Sequence, residues 1–105
     1  MAANDRYRER MGLDDDARDE NAELVAPLTA ALEALRASGN VSVDAVQGVL
    51  QTAELANVQV REDYGRVLFG ASGPAGGCLF GEVAAGSVSV EVGGFILDGG
   101  CLPMQ

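Results

Sequence analysis

The sequence predicts an α+β fold: two N-terminal helices packed on one face of a three- to four-stranded antiparallel sheet, with one disulfide. Three observations carry this. Apolar residues recur at helical spacing up to about residue 56 and alternate with polar ones beyond it. Glycine-rich turn signals divide the second half into short strands. The tetrapeptide Gly-Gly-Cys-Leu occurs twice, at 76–79 and 99–102, around the only two cysteines. With 105 residues the chain is one domain by size and can bury one modest core.

Residues 1–20 are densely charged and read as a poorly ordered arm, leaving 21–105 as the single α+β domain. From Asn21, Leu24, Leu28, Leu32 and Leu35, with Val25 and Ala31, form one apolar helical stripe. Pro27 within it requires the helix either to begin near Ala26 or to bend there. Gly39-Asn40 ends it with a left-handed stop. Ser42 is the expected N-cap of a second helix, and Asp44 suits the positive end of its first turn. Val43, Val46, Val49, Leu50 and Ala53 form its buried side. Gly48 weakens it slightly and suggests a close helix approach. It is expected to stop near Ala56-Asn57.

Val58 and Val60 then begin a period of two. "RVLFGA", "GCLFGEV" and "SVSVEVGG" read as strands, the last with Val88, Val90 and Val92 on one face. "EDYG" at 62–65 is a turn, "SGPAGG" at 72–77 a longer loop and "AAG" at 84–86 a short one. "FILDGGCL" is a helix-like turn or an edge strand.

The two cysteines have three readings. Cys78 and Cys101 as a disulfide suits their surroundings, because glycines without Cβ let two backbones come within the roughly 7 Å between Cα atoms that the bond needs. Two buried free thiols are the plain alternative. A catalytic pair is disfavoured, since redox-active cysteines usually stand as Cys-x-x-Cys. A metal site would need further ligands, and the chain has no histidine. A structural disulfide implies an oxidising compartment.

The order of these pieces resembles a two-cysteine domain of unknown function found in actinobacterial lipoproteins and membrane-anchored secreted proteins. The matching residues are Val58, Gln59, Val60, Cys78, Leu79, Gly81, Gly100, Cys101 and Leu102, over about residues 40–102. Two features depart from that pattern. Pro103 follows Leu102 where the family often continues Val-Gly, and "GASGPAGG" stands where the family has a tryptophan-bearing strand. The resemblance implies an envelope location and the disulfide, and no catalytic activity.

Composition excludes several functions. Net charge is −9, and every positive side chain is arginine. Nucleic acid and anionic membrane surfaces need a basic footprint, so neither is an expected partner. No apolar run approaches a membrane span, and the charged start is unlike a signal peptide. The chain is therefore either cytosolic or carries its anchor or signal outside this sequence. Without histidine, no Ser/His or Cys/His pair can be assembled.

Other stretches give bland readings. "GASGPAGG" lacks the lysine of a phosphate loop and reads as a hairpin loop. Asp14, Asp15 and Asp16, with Asp19 and Glu20, do not fit the EF-hand frame and read as a solvated acidic cluster. Glu62 and Asp63 are adjacent, whereas glycosidase carboxyls face each other across a cleft. Asn40-Val41-Ser42 fits a glycosylation sequon but reads more simply as a helix stop and a cap. Arg6, Arg8 and Arg10 form a local basic patch in the arm.

The function expected from all this is a small extracytoplasmic, envelope-associated interaction domain. It is expected to be non-catalytic and to need no cofactor and no metal. Its contact surface would be the sheet face or an edge strand, which could also give a homodimer. The alternative is a cytosolic acidic regulator with free thiols that binds a basic partner surface. A third class, an enzyme using carboxylates alone, would need a deep pocket with converging acids.

Overall fold

A computed structural model describes residues 15–94, 96 and 100–102. Two helices precede four strands: α1 (Asp15–Ala37), α2 (Val43–Thr52), β1 (Ala56–Asp63), β2 (Arg66–Ser72), β3 (Cys78–Val83) and β4 (Val88–Gly93). The strands form one antiparallel sheet in the order β1-β2-β3-β4. The fold is thus α+β with a four-stranded meander, the upper end of the expected strand number.

Helix α1 begins at Asp15, so the expected boundary at residue 20 falls inside it. Asp15 and Asp16 occupy its first turn, where the helix dipole favours negative charge. Ala17 and Asn21 are buried one turn apart, which draws the acidic start into the domain. Pro27 neither starts nor ends the helix. It lies on an exposed side, where its missing N–H removes one helical bond without disturbing the buried stripe. The helix ends as the sequence implies. Gly39 has φ 76°, Asn40 N–H donates to Leu35 O at 2.9 Å, and Gly39 N–H donates to Arg36 O at 3.1 Å. These are the two bonds of a Schellman stop.

Ser42 caps α2: its Oγ accepts from Ala45 N–H at 3.1 Å. The helix ends at Thr52, a few residues before the expected stop, because Ala56 already pairs with Ser72 in the sheet. Between β1 and β2, Tyr64 (φ 53°) and Gly65 (φ 85°) form a two-residue turn with both φ positive, the geometry that matches strand twist. One extra residue is accommodated in β1 between Ala56 and Gln59. Asn57 there has φ 51°, a conformation asparagine tolerates better than most residues.

The strand register assigns the faces. Val60, Val67, Phe69, Ala71, Leu79, Gly81, Val83, Val88, Val90 and Val92 share one face. Leu28 and Leu32 of α1 and Val46 and Leu50 of α2 join Val67, Phe69, Ala71, Leu79 and Val83 in the buried core. Helix α1 contacts β4 and β3, and α2 contacts β1 and β2. Phe69 closes the space above Gly81, where a Cβ would also collide with the Ser89 carbonyl. The opposite face carries Gln59, Leu68, Gly70, Ser72, Cys78, Phe80 and Glu82. Among the helix residues expected to be buried, Ala53 is exposed and Val43 and Val49 only half-buried.

Candidate functional site

Cys78 and Cys101 form a disulfide, with Cα atoms 5.6 Å apart, and both are fully buried. Cys78 lies on the sheet face opposite Leu79, so its sulfur points away from the core that Leu79 joins. The C-terminal segment therefore crosses the second face of the sheet. Gln59 holds it there: its side-chain oxygen accepts from the N–H groups of Cys101 at 3.1 Å and Leu102 at 3.2 Å. Ser72 Oγ stands 3.9 Å from Cys101 Sγ and receives a hydrogen bond from Asn57 Nδ2 at 3.3 Å.

The glycine that admits the tail is not one of those beside the cysteines. A Cβ on Gly70 would lie 2.8–2.9 Å from the backbone atoms of Cys101 and Leu102. Gly76 and Gly77 instead serve the β2–β3 loop, with φ 98° and 73°. A Cβ on Gly100 would approach only the end of the Gln59 side chain. Nothing local in the sequence distinguishes Gly70 or Gln59, because their partner lies some thirty to forty positions away.

Asn21 ties α1 to the β2–β3 loop. It is completely buried, and its Nδ2 donates to Gly76 O at 2.9 Å. Its Oδ1 has no conventional donor. That oxygen occupies the place where a Cβ on residue 73 would stand, so it faces the Cα–H of Gly73, a weak but recurrent type of contact. Of "GASGPAGG", expected as a hairpin loop, Gly70, Ala71 and Ser72 belong to β2; the loop is 73–77, clamped by a helix, with bonds from Gly73 N–H to Gly77 O and from Gly76 N–H to Gly73 O, both 3.1 Å.

A cleft of about 530 Å³ opens between the helices. Leu24, Pro27, Leu28 and Ala31 of α1 form one wall, and Gly48, Val49, Thr52 and Ala53 of α2 the other, with Leu55 at the end. Thr52 supplies the sole side-chain polar group of this lining. Gly48 does not let the helices touch, as its position suggested. A Cβ there would meet nothing within 4 Å, because Gly48 faces the cleft. The cleft was not legible in the sequence, since it depends on how far apart the helices stand. Glu20 and Glu23, both exposed, precede Leu24 and Pro27 by one helical turn, and exposed Glu54 lies between Ala53 and Leu55. An apolar trough with acidic neighbours can accept apolar side chains flanked by cationic ones.

Elsewhere among the described residues, Asp63 and Glu82 meet only through an arginine. Glu62 and Asp63 are consecutive on β1 and point to opposite faces. Asp63 and Glu82 both pair with Arg66, at 3.4 and 2.9 Å. Asp15, Asp16, Asp19 and Glu20 are exposed on α1. Among the described residues no cluster of three metal-ligating side chains occurs, and no helix is long and apolar enough to cross a membrane. Asp14 and the basic patch of Arg6, Arg8 and Arg10 lie outside the described residues, as does half of "FILDGGCL".

No protein-family model, no curated protein and no solved structure matches this chain.

Proposed function

We propose that this is an extracytoplasmic, envelope-associated interaction domain without catalytic activity. In this reading both helices form one layer on the valine-bearing face of the sheet, and the cleft between them binds an amphipathic segment of a partner protein with basic flanks. The observation that carries it is the pairing of an apolar cleft with Glu20, Glu23 and Glu54 beside it. Helix-in-groove recognition uses this combination: apolar anchors in the trough and complementary charge around it. The buried disulfide supports the location, since such bonds persist in oxidising compartments. So does the resemblance of Val58–Val60, Cys78–Gly81 and Gly100–Leu102 to envelope proteins. The rival reading, a cytosolic regulator with free thiols, is not favoured by two cysteines that are bonded to each other.

A synthetic amphipathic helix of leucine and lysine tests the cleft. Titrated into labelled protein, it is expected to shift the amide resonances of Leu24, Ala31, Val49 and Ala53. Gly48→Phe, whose Cβ enters open space and whose ring occupies the cleft, should abolish those shifts. Equal shifts in the variant, or the same response to polylysine alone, would remove the cleft from the account.

A further inference from the structure

The sheet has two edges, and they are built differently. Strand β1 is disrupted by the extra residue at Asn57 and carries Arg61, Glu62 and Asp63. Bulges and charges are the usual protections of an exposed edge. Strand β4, Val88-Ser89-Val90-Glu91-Val92-Gly93, has a regular register, no proline, and one charge. Its backbone orientation follows from the β3–β4 turn. Ala84 N–H donates to Ser87 O at 2.9 Å, so these two residues are a hydrogen-bonded pair. Bonded and non-bonded pairs alternate along an antiparallel ladder. Ser89, Glu91 and Gly93 therefore face β3, while Val88, Val90 and Val92 turn their N–H and C=O groups outward.

We propose that β4 pairs with β4 of a second copy of this chain, antiparallel, about a two-fold axis at Val90. The side chains select that register. Val-Ser-Val-Glu-Val is nearly symmetric about Val90. With the axis there, the two Val90 residues exchange both backbone bonds, and each Val88 does the same with the partner's Val92. Ser89 then stands across from the partner's Glu91. Moving the axis to Glu91 would set two carboxylates directly opposite each other, which is unfavourable. Val88, Val90 and Val92 are only partly buried in the monomer and border an edge that no described strand pairs, so pairing covers apolar surface as well as backbone. A six-residue strand is about 20 Å long and by itself gives less than the roughly 1,200 Å² of a stable interface, so the association is weak and concentration-dependent. This inference stands apart from the interhelical cleft, which lies on the helix layer away from the edge.

Sedimentation equilibrium from about 10 μM to 1 mM spans the range in which so small an interface associates. The 10.8 kDa chain should move from monomer towards dimer. Hydrogen exchange should show the amides of Val88, Val90 and Val92 becoming protected as concentration rises, while Ser89 and Glu91 are protected throughout. Exposed Ser89 gives the register test. Ser89→Arg, facing the partner's Glu91, should strengthen the dimer, and Ser89→Glu should weaken it, each by about twofold to thirtyfold because the pair occurs twice across the axis. Monomer at every concentration overturns the proposal. So does a dimer whose β4 amides gain no protection and whose affinity ignores both charge variants.

Discussion

Reduction of the Cys78–Cys101 bond gives the sharpest test of how the tail is held. The two residues are separated by 23 positions. Closing a loop of that length removes chain entropy from the unfolded state equivalent to about 3.4 kcal/mol at 25 °C. For a domain near one hundred residues this corresponds to a fall of about 15 °C in the unfolding midpoint. Calorimetry of the oxidised protein and of protein unfolded, reduced and refolded under reductant measures it. The mechanism has a second signature at Gly70. A Cβ there lies 2.8–2.9 Å from the Cys101–Leu102 backbone. With the bond closed the tail cannot move away, and Gly70→Ala should cost about 2 kcal/mol through overpacking. With the bond open, the tail can lift from the sheet at the loss of the two hydrogen bonds to Gln59. The same substitution should then cost less than it does with the bond closed. The four states form a double-perturbation cycle. An equal penalty in both redox states would show that the close approach at Gly70 does not depend on the bond, and the reasoning would fail.

Three further outcomes are expected. Asn21→Ala should lower stability by about 2 kcal/mol in denaturant titration, since it removes a buried hydrogen bond to Gly76 and leaves a small cavity. Gly48→Ala should raise stability by about 0.8 kcal/mol, because its Cβ meets open space in a helix interior; a loss would mean that the helices are closer than described. Tyr64→Asn should raise the thermal midpoint by a few degrees, as asparagine suits the positive φ at this turn position and the ring it removes is almost fully exposed.

The signals that were legible in the sequence are local ones. Gly39 after the last leucine of α1, Ser42 before α2, and the turn read over 62–65, which the structure narrows to Tyr64-Gly65, each act within a few residues. Valine alternation placed β4 and its faces. The cysteine pair was readable in part: a metal site lacked a histidine and a redox pair lacked the Cys-x-x-Cys spacing, but the choice between a disulfide and two buried free thiols needed the structure. What escaped was decided by distant partners. Pro27 and the charged turn before Asn21 argued for a late helix start, yet burial of Ala17 and Asn21 against the rest of the domain outweighs both. Gly70 looks like one more loop glycine until the tail is laid across it. The interhelical cleft depends on the spacing of two helices, a quantity that no single stripe of apolar residues encodes.

The meander is simple, but its covering is not sequential: the first helix rests on the last strand. During synthesis the first helix cannot complete its seat on β4 until residue 93 has left the ribosome, and Asn21 waits until Gly76 has done so. Contacts so remote along the chain form late. The seat of the first helix is therefore among the last parts of this domain to be completed, after the sheet that carries it has been laid down.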